Sequence, residues 1–213
     1  EKLEKTYGVD VEIYSADLSV KEERQKLFDY TTSNHMIVEN LINNAGFGNA
    51  DAYLDTPWEL HKNMVDINVV ALMHLSHLYG NEMKKRRKGR ILNVASVAAF
   101  SAGPYMSVYY ASKAFVFSLS QAMYEELKGY GVSVTALCPG PTGTNFENTA
   151  GLTNSKMFKV FGVEKADSVV KRGYKGMMRG KAIVYHSKVT YGFNIITRLV
   201  SRKCARNIAG RIN

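Results

Sequence analysis

"GRILNVASVAAFSAGPYMSVYYASKAFVF" spans residues 89–117 and holds the unit from which the fold is read. Its first part, 89–96, is a short apolar run of the kind a buried strand needs. A loop with Gly103 and Pro104 follows. From about Val108 the pattern is helical to Lys128, stopping at Gly129. The same alternation extends in both directions. Upstream, DVEIYSADL (10–18) reads as a strand. Ser19 with Glu22 then forms a capping box that opens a helix to about Ser33. MIVENLINNAG (36–46) is an apolar strand running into a turn with Asn and Gly. Thr56, Pro57 and Glu59 make a second box before a long helix, about 57–85. Downstream, 131–140 is a strand closed by Pro139 and Gly140. A loop to about Gly162, a helix over 164–179, a short strand KAIVYH (181–186) and a basic helix from about 193 complete the chain. Alternating strands and helices imply an α/β fold: a doubly wound parallel sheet with helices on both faces, in one domain over 1–213.

Composition agrees. With 46% hydrophobic and 22% charged residues, the 213-residue chain is globular, not disordered. No apolar run reaches the roughly 18 residues of a membrane span. The charged start EKLEKTYGVD shows no secretory signal, and Cys138 and Cys204 form no close-spaced metal or redox motif. A cytoplasmic setting is expected, and no metal site. The net charge of +9 raises nucleic acid, anionic membranes or phosphorylated ligands as partners. Charge alone does not argue for nucleic acid, and a solvated basic surface explains it equally well. KKRRK (84–88) falls at a helix end, where cations suit the dipole. The tail carries Arg198, Arg202, Lys203, Arg206 and Arg211 without acidic partners, with Ile196, Leu199, Val200 and Ile208 on one side of an amphipathic helix. Packing on the protein itself is the stronger reading of that tail, and contact with an anionic membrane the weaker.

Ligands of such sheets bind beyond the carboxyl ends of the strands. The turn NNAG, Ser96 and the segment CPG all lie at such ends, and Tyr109 opens the helix that follows Ser96. Tyr109 stands four residues before Lys113, so both fall on one helix face. An ammonium close to a phenol favours the phenolate and lowers the phenol pKa from about 10. Taken singly, each of these residues reads as a turn, cap or surface residue. Their convergence on one sheet edge argues for a site.

In this order the motifs resemble the short-chain dehydrogenase/reductase family. INNAG (42–46) matches its strand-end turn, INV (67–69) its helix asparagine, Asn68, and NVAS (93–96) its serine, Ser96. YYASK (109–113) matches the active tyrosine, Tyr109, with Lys113, and PGPTGT (139–144) the loop over the nicotinamide. Asp17 and Leu18 match the adenine-contacting pair. The resemblance covers about 10–186. It implies a Rossmann-like fold and an oxidoreductase that moves hydride between NAD or NADP and a carbonyl or alcohol. It assigns catalysis to Asn68, Ser96, Tyr109 and Lys113. Cofactor contacts are implied for Asp17, Leu18, Asn44, Ala45, Gly46, Tyr109, Lys113, Pro139, Gly140, Thr142 and Thr144. A homodimer or homotetramer is implied through the two long helices.

The chain departs from the family at its start. The Gly-rich turn that cradles the pyrophosphate, and the βαβ unit holding it, are missing from the sequence. The chain therefore reads as a family member without its N-terminus, expected not to bind a dinucleotide productively by itself. A catalytically inactive fragment, or a binding or assembly member of the fold, is the alternative. The strand that separates NAD from NADP belongs to the missing part, and the basic charge leans toward NADP. The loop after Ser96 (Phe100, Pro104, Tyr105, Met106) and a lid (Phe146, Met157, Phe158, Phe161) are expected to wall an apolar substrate pocket.

Overall fold

The computed structural model describes residues 2–146, 150–151 and 161–212. Four parallel strands form the central sheet in the order β1 (Asn40–Asn43), β2 (Gly89–Val94), β3 (Val132–Cys138), β6 (Ile183–Tyr185). A two-stranded parallel ladder, β4 (Thr142–Gly143) with β5 (Glu164–Lys165), lies beyond it. Each sheet strand is reached by a helical crossover, as parallel pairing requires.

Side-chain alternation explains the layering. Ile91, Val132 and Val134 pack with Met83 of α4 (Leu72–Arg86) and Met123 of α5 (Ser107–Leu127). The next residues along the strands, Leu92 and Leu137, pack with Val169 and Met177 of α6 (Ala166–Met178). Apolar residues thus leave both sheet faces, and helices cover each. At Gly176 a side chain would have its Cβ 2.1 Å from Val184, so glycine lets α6 lie close on β6.

The long helix is present but not uniform. It runs as α3 (Trp58–Val65), a π-helical turn over Asp66–Ala71, and α4. The wider turn carries Asn68, and such insertions are frequent at functional sites. The basic run ends α4 as expected, with Arg87 left-handed at its C-cap, Lys84 over the Tyr130 ring and Lys88 bonded to Glu39 at 2.6 Å.

Several local expectations are corrected. Residues 10–18 form no strand: a lone extended segment needs a neighbour to complete its hydrogen bonds, and no described strand lies beside it. Instead Tyr14 packs on Tyr30 of α2 (Lys21–Ser33), whose hydroxyl donates to Glu12. Neither capping box forms. Ser19 turns its amide and hydroxyl to Asp17 Oδ1, and Val20 takes the N-cap. Thr56 donates to the Ala52 carbonyl, and Pro57, not a hydroxyl, precedes α3. The end of α5 does match, at Leu127 with Lys128 as its C-cap, and a 3-10 turn then carries the chain to Gly131 at φ 71°. The tail is not one helix from 193. Val200 is extended between α7 (Lys188–Leu199) and α8 (Arg202–Ile212), and Ser201 restarts the helix by accepting the Cys204 amide proton.

Candidate active site

A cavity of about 490 Å³ opens at the carboxyl ends of β1, β2 and β3. Asn44, Gly46, Ser96, Tyr109, Lys113, Pro139, Gly140, Thr142 and Thr144 all line it. The parallel sheet accounts for this convergence, because every strand delivers its following loop to the same edge. The helix start supplies the rest: Tyr109 and Lys113, one turn apart on α5, both face the cavity.

Asn68 lies directly behind. It is buried, and its side chain clamps the β1 loop, accepting from the Phe47 amide at 3.0 Å and donating to the Phe47 carbonyl at 2.9 Å. It also donates to Ser112 Oγ at 3.1 Å, and Ser112 donates to the Tyr109 carbonyl at 2.7 Å. Gly46 is the point of closest approach: a Cβ there would sit 2.9 Å from Asn68 Oδ1 and 3.4 Å from Lys113 Nζ. Ala45 belongs to the same loop without lining the cavity. Asp17 and Leu18 are not brought to it. They form the turn before α2, where Asp17 accepts from Ser19 and the Leu18 carbonyl accepts from Arg24.

The electrostatics invert one expectation. Burial raises the Tyr109 phenol to about 12, with the Ser96 side chain opposing the rise and Tyr110 adding to it. Lys113 does not lower it. Its Nζ donates to the Val94 carbonyl at 2.8 Å and stands 5.8 Å from the Tyr109 ring centre. Burial also lowers Lys113 itself, to about 8. Helical spacing predicted proximity correctly, but desolvation of both groups outweighs their mutual attraction.

A stability signature follows. The folded Lys113 pKa, about 8, lies below the ordinary lysine value of 10.5, so between these values the unfolded chain binds more protons than the native one. Stability should therefore rise with pH over about 8 to 9, the cost of the buried cation being relieved. Burial raises the Cys138 thiol from 9.0 and the Tyr109 phenol from 10.0, so these two act oppositely above about pH 9 and pH 10. Urea unfolding of wild type and Lys113→Met across this range should show the rise in the former alone. A flat wild-type profile would contradict the assignment.

The pocket walls differ from those expected. Among the expected apolar residues only Phe146 lines the cavity, its ring 5.3 Å from that of Tyr109. Phe100 stacks edge-on with Phe117, Met106 is buried in the core, and Phe161 pairs with Phe193. Tyr105 is exposed, and Pro104 packs against Gly210. Met157 and Phe158 fall outside the described residues. Phe47, Val97, Ala98, Leu137, Pro141 and Val169 form the apolar lining instead.

Beneath the cavity lies a buried polar chain not anticipated from the sequence. Asn43 Nδ2 donates to Asn93 Oδ1 at 2.8 Å and to Ser76 Oγ at 2.9 Å, and Asn93 Nδ2 donates to Ser120 Oγ at 2.9 Å. It ties β1, β2, α4 and α5 together under Tyr109 and Lys113. A polar Asn amid apolar strand residues, as in ILNV, was the available signal.

A family model described as short chain dehydrogenase matches residues 1–151. The chain belongs to this family. Among short-chain dehydrogenases, it is 30% identical over 143 residues to the 7beta-hydroxysteroid dehydrogenase of Collinsella aerofaciens, covering 67% of this chain and 54% of the relative. It is 31% identical over 180 residues to the 17-beta-hydroxysteroid dehydrogenase type 3 of Mus musculus, covering 82% and 55%. The chain thus spans about half the length of these two relatives. The short-chain dehydrogenase of Sphingobium yanoikuyae, solved with NADPH, superposes with a TM-score of 0.80 at 26% identity, covering 93% of this chain and 77% of that one. The Rossmann-like parallel sheet is the fold of this dehydrogenase family.

Proposed function

We propose that the protein, with the pyrophosphate-binding unit missing from this sequence supplied, transfers hydride between a nicotinamide dinucleotide and a carbonyl or alcohol, acting near neutral pH as a reductase of apolar carbonyl compounds. The observation that carries this reading is the meeting of Ser96, Tyr109 and Lys113 in one largely apolar cavity. The residues present fit the nicotinamide–ribose end of the cofactor. The Lys113 ammonium, the Thr142 and Thr144 hydroxyls and the Asn44 amide are donors suited to a ribose diol and a carboxamide. Gly46 leaves the backbone open beside Lys113, and Pro139 and Gly140 continue that wall, with Ala45 assigned to the cofactor by resemblance alone. Asp17 and Leu18 are assigned to the adenine end by resemblance alone. NADP is the proposed form, supported by the net charge of +9 and by a relative solved with NADPH.

Bound there, the nicotinamide supplies or accepts the hydride. Tyr109, a protonated phenol at neutral pH, donates its proton to the substrate oxygen, and Ser96 hydrogen-bonds the same oxygen. Lys113 donates to the ribose hydroxyls. Asn68 holds the β1 loop and α5 in register. Burial raises Tyr109 to about 12, so at neutral pH it carries the proton that reduction needs.

Turnover of aliphatic, aromatic, steroidal and sugar carbonyls with NADPH and NADH tests the substrate class. The larger kcat/KM should fall on apolar, steroid-sized ketones, in keeping with the relatives named as hydroxysteroid dehydrogenases. Preference for sugars would overturn it. A homodimer or homotetramer is proposed through α3–α4 and α5, where Met73 and Phe115 are exposed. Light scattering should give a multiple of the chain mass, and the single-chain mass would contradict this.

A further inference from the structure

The helix α7 carries apolar side chains on both sides, with Phe193 packed inward on Phe161. Its inward side buries the polar Thr190 and Asn194, whereas Tyr191, Ile195, Ile196 and Leu199 are exposed, Leu199 to 81% and Tyr191 and Ile196 to 52% each. Positions 188, 191, 195 and 199 recur at helical spacing, so Lys188, Tyr191, Ile195 and Leu199 share one outward stripe. Lys188 and Tyr191 also line a separate cavity of about 450 Å³, at the sheet edge beside β6. Its other charged lining residues are Arg172, Lys175, Arg179 and Lys181. None of these five cations has an ion-pair partner among the described residues. From Ser168 to the last residue the chain has eleven lysines and arginines and no aspartate or glutamate.

We propose that this face docks on an anionic lipid surface, with headgroups in the basic cleft and Ile195, Ile196 and Leu199 at the acyl boundary. Exposed apolar side chains set against uncompensated cations are what an interfacial helix presents. Charge decides between occupants. A second copy seated on this face by two-fold symmetry would bring cation against cation, whereas an anionic bilayer neutralises them. Packing on the protein itself, the stronger sequence reading of the tail, holds for the inward side of α7, where Phe193 meets Phe161, and leaves the outward stripe uncovered.

Co-sedimentation of the full chain with vesicles tests this. It should bind phosphatidylcholine vesicles containing phosphatidylserine and not pure phosphatidylcholine vesicles. The pair Ile195→Ser with Leu199→Ser, and the triple Lys175→Glu, Arg179→Glu, Lys181→Glu, should each weaken binding at least tenfold. All five side chains are solvent-facing, so circular dichroism and the Tm should stay unchanged. Equal binding to both vesicle types, binding unaffected by either variant set, or no binding at all would overturn the proposal. So would a wild-type oligomer that the Ile195→Ser, Leu199→Ser pair turns into monomer without any vesicle binding, since a second copy would then cover the face.

Discussion

Tyr109→Phe should lower turnover of the active protein by two or more orders of magnitude, the scale of a positioned proton donor. The ring is buried against Phe146 and Tyr110, and the substitution keeps that packing while deleting the phenol O–H. Cofactor binding and the Tm should hardly move, and kcat should fall far more than KM rises. The measurement is steady-state kinetics beside thermal unfolding of the same preparation. Near-normal turnover in a folded Tyr109→Phe protein would remove Tyr109 from the proton path.

Asn93→Leu should produce the largest loss of stability. Asn93 is fully buried and joins Asn43 to Ser120, so an apolar side chain of similar size removes one bond from each, leaving Asn43 with Ser76 and Ser120 with the Val116 carbonyl. Buried groups that lose a partner cost about 1–3 kcal/mol, so a loss of about 2 kcal/mol is expected. Urea unfolding should show a lower midpoint at unchanged slope. The double variant with Asn43→Leu should lose less than the two single losses combined, because both sit in one network. A loss below about 1 kcal/mol would mean that the chain of amides is not what holds β1 and β2 under the site.

The parts of the molecule legible in the sequence are those fixed by local pattern. Ile91–Leu92 and Val132–Val134 sit in strands with both faces covered, so a short apolar run bounded by Gly and Pro marks them without knowledge of their neighbours. The placement of Ser96, Tyr109 and Lys113 at one edge followed from the parallel topology. What depended on distant partners was not legible. Residues 10–18 have strand composition but meet no ladder, and Ser19 prefers Asp17 to the helix it precedes. The spacing of Tyr109 and Lys113 gave their face but not their solvation. Only the fold shows that the ammonium is drawn to the Val94 carbonyl and that both groups are buried. Asn43 and Asn93 read as turn or strand-end residues until β1 and β2 are set side by side.

The central claim is that Ser96, Tyr109 and Lys113 serve a hydride transfer to a carbonyl. Its most direct test uses coenzyme deuterated at the hydride-donating carbon, an apolar ketone turned over by the protein, and mass spectrometry of the alcohol formed. The account predicts one deuterium on the carbinol carbon of the wild-type product and little product from Tyr109→Phe. Product without deuterium, or the same labelled yield from both proteins, would contradict it.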